Sequence, residues 1–473
     1  MPTSARTTQT GEFVQRQLGE DVIDLAAGQP APSSLPLDKI AAAAAHRFGS
    51  PGANPLMLQY GPEQGYASFR QSLAGFLSSH YGHEVVADEL IVTAGVSHGI
   101  DLVCRQLASP GDVIVVERPT YFLVQGIIDQ CHLRSADIPT DGQGLDVAAL
   151  EELIEEGGLR PRLLYTVPVH SNPRGAVLSL ERRRRLIQLA HRHGFYILAD
   201  EVYQLLSFPD APPPPPPMRA VELQLFEEGA LPSPGDGGGD DDVSGGGGAG
   251  EAPTGASAGA LEDWSAGVGQ GEGPQQQHEA GGGGGQGLAQ GLQRRRRRLA
   301  SSQVVSLGSW SKMLAPGLRL GWAEASEAVL QRLRACGVLQ SGGCIAPLSA
   351  AVAHSTLELG LLQQHLDGAV LPSLAARCGA MCEEIDRHLV PLGCSYSRPE
   401  GGYFVWVAFP EEVDTRELLV RAGARHSVRF SPGPLSHGRA HDARLCFAFY
   451  SEPELRVAVA RLGAALAEHL AAA

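Results

Sequence analysis

The chain has 473 residues and a formal net charge of −15. Hydrophobic residues make up 43%, enough for a folded core, which excludes a wholly disordered protein. The acidic balance argues against nucleic acid as the main partner, and the length allows two to four ordinary domains or one large enzyme fold with a smaller companion domain.

In chain order, ELIVT at 89–93 is an apolar run ahead of small residues and a helical pattern at 97–107. A turn at Pro110-Gly111-Asp112 leads into a strand at 113–116, and a helix begins at Tyr121. Strands follow at 133–138 and 162–167, then a charged helix at 180–193 and the strand FYILA at 195–199. From 209 to 300 the composition changes: this stretch holds 23 of the 58 glycines and 11 of the 33 prolines. It promises too little apolar burial to offset its ordering entropy, and reads as a disordered surface insertion. Its proline run at 212–217 reads as a stiff linker rather than an SH3-type ligand. Arg294 to Arg298 read as solvated charge rather than a nuclear signal. Strands resume at 304–307 and 318–323; beyond Ser326 the pattern is long and helical, with strands at 401–407 and 444–449.

Strand–helix alternation with apolar, non-alternating strands predicts an α/β fold: three layers around a mostly parallel sheet covered on both faces. That large domain spans 46–325, interrupted by 209–300. A smaller α+β domain covers 326–473, and residues 1–45 form an arm joined to it. Ligands of such sheets bind at the carboxyl ends of the strands. The eight cysteines form no C-x-x-C pair, which fits a reducing compartment better than a disulfide framework or a zinc ribbon. No apolar run approaches the roughly 20 residues of a membrane span, and no secretory leader opens the sequence. The cytoplasm is the default location, with plastid or mitochondrion as alternatives.

Lysine is scarce. Lys and Arg total 37, yet only Lys39 and Lys312 are lysines. Lys39 precedes an Ala-rich helix and reads as a solvated residue. Lys312 lies in Ser309-Trp310-Ser311-Lys312, with Arg319 seven residues on. An amine beside hydroxyls and a guanidinium suits a phosphorylated carbonyl compound; a solvated lysine in a polar loop is the plain alternative. Asp200 directly follows FYILA, and a carboxylate at the end of a buried strand needs a partner or serves as a helix cap. Asn172-Pro173-Arg174-Gly175 makes a turn after another strand. Thr93 to Ser97 sits where a strand meets a helix start, a ready anion site.

Nine segments, in order, carry a resemblance: LAAGQP (25–30), LQYGPEQG (58–65), TAGVSHGIDL (93–102), PGDVIVVERPTY (110–121), SNPRG (171–175), ILADEVY (197–203), SWSKMLAPGLRLGW (309–322), PEGGYFVW (399–406) and ARLCFAFY (443–450). The sequence resembles the fold type I pyridoxal-phosphate-dependent aminotransferases of class I/II, nearest the kynurenine/α-aminoadipate aminotransferase-like group. The resemblance implies pyridoxal 5'-phosphate as cofactor, amino acid and 2-oxo acid as substrates, a homodimer, and no nucleic acid, membrane or metal partner. It implies that Lys312 forms the aldimine and moves the α-proton. Asp200 would pair with the pyridinium nitrogen, while Asn172 and Tyr203 would bind the phenolic oxygen. Tyr121 would stack on the ring. Gly95, Val96, Ser97, Ser309, Ser311 and Arg319 would hold the phosphate, joined by Tyr60 of a second copy. Arg444 would fork onto the substrate carboxylate, helped by the backbone of Gly28.

Three features depart from the family pattern. Arg174 stands where the family has Thr, Val96 replaces a hydroxyl residue, and the interval from Asp200 to Lys312 is long. A lyase acting at the β- or γ-carbon shares these motifs and is the alternative reaction. A regulator with a DNA-binding helix-turn-helix is a third reading, disfavoured because LAAGQP begins at Leu25. Arg16 and Arg174 are the candidates for recognising a substrate side chain.

Overall fold

The computed structural model describes residues 21–51, 53–231 and 301–472. After a short β1 (Ile23–Asp24), eight strands build the main sheet: β2 (Leu90–Thr93), β3 (Val113–Arg118), β4 (Arg134–Asp141), β5 (Gly144–Leu145), β6 (Pro161–Thr166), β7 (Tyr196–Asp200), β8 (Val304–Ser309) and β9 (Gly321–Glu324). Their order is β2-β9-β8-β7-β6-β3-β4-β5. The run from β8 through β7, β6 and β3 to β4 is parallel. β9 is antiparallel to both β8 and β2.

Alternate residues of the central strands enter two separate cores, as a sheet covered on both faces requires. Tyr165, Leu198 and Leu307 join one cluster; Leu164, Ile197, Ala199 and Val304 join the other. The helices Val96–Leu107 and Leu180–His193 match their expected positions within a residue. A second, antiparallel sheet has the order β10-β11-β14-β13, with β10 Ser395–Tyr396, β11 Phe404–Ala408, β13 Ser431–Pro432 and β14 Asp442–Cys446. Between them β12 (Val428–Arg429) pairs in parallel with β1, which ties the N-terminal arm to this smaller unit.

Packing changes partner later than residue 326. The helix Glu327–Arg334 still packs on Val96–Leu107, and Pro347–Glu358 packs on Leu37–Gly49 and Ala67–Tyr81. Only from the helix Leu371–His388 onward do the elements pack chiefly among themselves and on the small sheet.

The expected insertion boundary at 209 is corrected. Residues 209–231 are folded, and 232–300 lie outside the described residues. The helix Met218–Glu227 buries Met218, Val221, Leu225 and Phe226 in the second core. Composition misled because a polyproline strut needs no backbone ladder. Here Gln204 donates to the Pro215 carbonyl at 3.0 Å, and buried Arg183 donates to the Pro216 carbonyl at 2.8 Å. Glu201 then caps the helix, accepting from the Met218 amide at 2.7 Å. Fully buried Arg219 pairs with Glu89 and Glu222, each at 3.0 Å, and Ser302 donates to Glu222 at 2.5 Å. Both flanks of the undescribed segment are thereby pinned.

Candidate active site

The site forms where the carboxyl ends of β3, β6, β7 and β8 meet the small sheet. Asp200 ends β7 on the same face as Leu198, whose partner across the sheet is Tyr165. That register lets the Tyr165 hydroxyl donate to Asp200 Oδ2 at 2.8 Å. Burial raises the Asp200 carboxyl to about 6, against the lowering effects of Tyr165, the Val202 amide and Lys312. Its other oxygen, Oδ1, is buried and makes no hydrogen bond among the described residues. A buried carboxylate oxygen without a partner is costly. A cationic ring N–H is the group that would satisfy it, so Asp200 fits a pyridinium.

Lys312 lies in the loop between β8 and β9. The loop closes as a hairpin, with Ser309 opposite Gly321 and the Trp310 amide donating to the Leu320 carbonyl at 3.0 Å. Lys312 Nζ donates to the Gly28 carbonyl at 2.8 Å and sits 5.1 Å over the Tyr403 ring. Desolvation lowers its pKa to about 8; neighbouring Arg444 and Arg319 push the same way, while Cys446 and Asp200 oppose them. An amine of that basicity has a substantial neutral fraction near pH 8, where an ordinary lysine has almost none, as an amine that must attack a carbonyl requires.

The same hairpin presents Arg319, held in the left-handed region at φ 46°. Gly321 makes this approach possible: a Cβ there would lie 2.7 Å from the Gly308 carbonyl and 3.0 Å from the Gly95 Cα. Gly95 (φ 76°) caps the helix Val96–Leu107, and a Cβ on it would lie 3.3 Å from an Arg319 guanidinium nitrogen. Free helix-start amides facing a guanidinium make an anion cradle. Ser309 is buried and accepts from the Ser311 amide at 3.1 Å. Ser97 on the helix start is exposed.

Arg444, on β14, is 3% exposed. It donates to Asn172 Oδ1 at 2.8 Å and to the Ala26 carbonyl at 2.9 Å. Its guanidinium lies 4.3 Å from the Phe404 ring centroid and 5.6 Å from that of Phe122. Asn172 is presented by a closed turn in which Gly175 (φ 69°) lies so near the Phe404 carbonyl that a Cβ would be 3.2 Å away. Arg174, beside it, is half-buried, and its charged neighbours are Asp442, Arg439 and Asp141. Tyr121 lies within the electrostatic reach of Asp200, Arg444 and Arg319. Tyr203 is buried beside Tyr403, with ring centroids 5.6 Å apart.

Thus Lys312, Asp200, Asn172, Tyr203, Tyr121, Arg319, Gly95, Ser309, Arg444 and Gly28 converge. Tyr60 does not: it is 83% exposed. Arg16 lies outside the described residues. Sequence reasoning missed Tyr165, the Phe122 and Phe404 rings around Arg444, Tyr403 and Cys446. The signal for Tyr165 was the need of Asp200 for a donor, but the donor's identity depends on strand register.

A mostly parallel sheet that gathers a weakly basic amine, a buried carboxylate with one unpartnered oxygen and an anion cradle belongs to the class of enzymes that work through a phosphorylated pyridine aldehyde. The chain belongs to the family described as aminotransferase class I and II, whose model it matches over residues 20–225 and 278–462. It is 27% identical to aromatic-amino-acid aminotransferase 1 of Thermococcus litoralis, over 98% of this chain and 93% of that one. It is 28% identical to a 2-aminoadipate transaminase of Thermus thermophilus, over 94% of this chain and 90% of that one. Among solved structures, the α-aminoadipate aminotransferase of Thermus thermophilus, complexed with N-(5'-phosphopyridoxyl)-L-leucine, superimposes with a TM-score of 0.71 at 26% identity. That match covers 99% of this chain and 97% of the other. The protein is a fold type I transaminase that uses pyridoxal 5'-phosphate and exchanges an amino group between an amino acid and a 2-oxo acid. The lyase alternative draws no support from these relatives. Among the described residues no helix is long and apolar enough to cross a membrane.

Proposed function

We propose that Lys312 is the amine that carries the cofactor and shuttles the substrate α-proton. Asp200 faces the pyridine nitrogen, Tyr203 and Asn172 the phenolic oxygen, and Tyr121 the ring face. Gly95, Val96, Ser97, Ser309, Ser311 and Arg319 hold the phosphate, and Arg444 with the Gly28 backbone receives the substrate carboxylate. The bound cofactor supplies an electron sink for the α-carbon. The chain's own residues do the rest. Arg444, with Asn172, orients the amino acid so that its α-hydrogen faces Lys312. Lys312 takes that proton and returns it elsewhere, which its lowered basicity favours. Asp200, kept ionised by the Tyr165 hydroxyl, holds the ring nitrogen protonated.

The observation that carries this reading is the buried, unpartnered Asp200 Oδ1 at the carboxyl end of β7, within the electrostatic reach of Lys312. The test is to incubate the chain with pyridoxal phosphate, reduce with borohydride and map the peptide. Label is expected on Lys312; label on Lys39, or none, refutes the assignment. We further infer a homodimer in which Tyr60 of one copy reaches the phosphate of the other, supported by its 83% exposure beside exposed Leu56 and Leu58. The likeness to an aromatic-amino-acid aminotransferase supports a bulky aromatic donor. In a screen of donors, phenylalanine or kynurenine should give a higher kcat/KM than alanine; the reverse order rejects that assignment.

A further inference from the structure

Only Ala94 and Gly95 separate the end of β2 from the start of the helix Val96–Leu107. Two side chains tie that turn from opposite ends. Thr93 Oγ1 donates to the Gly95 carbonyl at 3.0 Å, and the Ala94 amide donates to His98 Nδ1 at 3.1 Å. His98 is the third residue of the helix. A side chain there that reaches back to an amide ahead of the helix repeats the logic of a capping box, ordinarily built with Glu or Gln. The imidazole changes the charge of that device. A glutamate would set a carboxylate beside the helix-start amides and Arg319, where it would compete with a bound anion. A neutral ring supplies the acceptor without the charge. Because the Ala94 amide donates to Nδ1, that nitrogen carries the lone pair and the ring hydrogen sits on Nε2. Burial lowers the His98 pKa, against the pull of Asp101 on the same helix, and so keeps Nδ1 able to accept.

We propose that His98 is a positioning residue for the cofactor phosphate: it pins the Ala94–Gly95 turn so that the helix-start amides and Arg319 address one anion. The inference rests on the reading of that helix start, with Arg319, as the phosphate cradle. Gly95 stands at φ 76° and ψ 176°, outside the helical region, and a Cβ on it would lie 3.3 Å from an Arg319 guanidinium nitrogen. A glycine holds such a conformation only as firmly as its neighbours are held. The peptide on one side is held by His98 through the Ala94 amide, and the peptide on the other by Thr93 through the Gly95 carbonyl. That second peptide carries the Val96 amide, the first of the helix-start donors without an intrahelical acceptor. Its direction, and the room left for the guanidinium, are therefore set by the two ties. His98 does this without touching a phosphate oxygen.

The experiment titrates the cofactor-free chain with pyridoxal phosphate and, separately, with pyridoxal, which offers the same ring and aldehyde without the phosphate. The readout is the ratio of the two dissociation constants, taken from the absorbance of the bound ring. Wild type should strongly prefer the phosphorylated form. His98→Leu should lose roughly fivefold of that preference, the worth of about one helix cap, while its affinity for pyridoxal stays near wild type. His98→Gln, whose side-chain carbonyl can take the same amide, should restore the ratio. Thr93→Val cuts the other tie; it should lower the ratio in the same way, and it carries the test if His98→Leu does not fold. A ratio unchanged from wild type, an equal weakening for both ligands, or a glutamine variant no better than the leucine one overturns the proposal. Arg319→Gln separates the two readings. If it too keeps the wild-type ratio, the phosphate cradle itself is refuted. If it lowers the ratio while His98→Leu does not, the cradle stands and the role of His98 alone is refuted.

Discussion

Lys312 and Asp200 solve opposite problems with the same tool. Burial pushes the amine down to about 8 and the carboxyl up to about 6, so both sit near working pH. Lys312→Arg keeps the charge but loses a group able to release its proton. It should cost about 10²–10⁴-fold or more in the half-reaction, read by stopped flow. In the cofactor-free chain the sign of the Lys312 linkage is fixed. Its folded pKa lies below the usual 10.5, so between about 8 and 10.5 the unfolded chain binds more protons. Stability should therefore rise with pH across that window, and this part of the slope should vanish in Lys312→Met when urea midpoints are compared. Tyr165→Phe removes the donor that lowers the Asp200 carboxyl. The acidic limb of the kcat profile should then move to higher pH; an unmoved limb would detach Asp200 from it. Lys312 was legible because lysine is scarce and its neighbours are phosphate-type ligands. Tyr165 was not, because its role depends on which residue of β6 lies beside the end of β7, a contact 35 positions apart along the chain.

At the level of elements, the site depends on how closely the β8–β9 hairpin approaches the start of the helix Val96–Leu107. Gly321→Ala would drive a methyl to within 2.7 Å of the Gly308 carbonyl. It should cost roughly 1–3 kcal/mol in denaturant titration and weaken cofactor binding, since Gly95 and Arg319 must part. The helix Met218–Glu227 shows where element-level reading failed. Its apolar residues at 218, 221 and 225 carry a helical period, but they follow a proline run, and composition outweighed periodicity. Arg219 closes the argument, because no sequence pattern announces an arginine with 0% exposure. Arg219→Ala removes the cation that Glu89 and Glu222 share, leaving Glu222 only His191, at 2.8 Å, as an ionic partner among the described residues, and should destabilise by about 3–5 kcal/mol. Replacing 236–297 with a short Gly-Ser linker should keep full activity, because Leu231 is buried and Ser302 is tied to Glu222 independently of the segment. Shortening a loop changes its closure cost by only about 0.6 kcal/mol per halving, so stability should hardly move.

For the whole molecule, the order of nine motifs announced one fold, and the sheet topology agrees with it. A second copy is harder to read from sequence, because an exposed apolar residue means nothing until its neighbours are known. Here Leu56, Leu58 and Tyr60 are 68–83% exposed on one short segment. An isolated bridge from Gly61 to Gly343 brings that segment beside the helix Gly337–Gly342, whose Val338 is 63% exposed. Clustered apolar exposure of this kind supports the proposed homodimer. If each site takes Lys312 from one copy and Tyr60 from the other, two defective chains can repair each other. Lys312→Ala homodimers should be inactive, and Tyr60→Ala homodimers should bind the cofactor weakly. Unfolding and refolding the two together should yield heterodimers in which one site carries both lesions and the other carries neither. At equal mixing the random proportion of heterodimers is one half, so about a quarter of all sites should be wild type, and activity should rise to about a quarter of the wild-type value. A mixture no more active than the average of its parents would mean that Tyr60 serves its own chain's site or none.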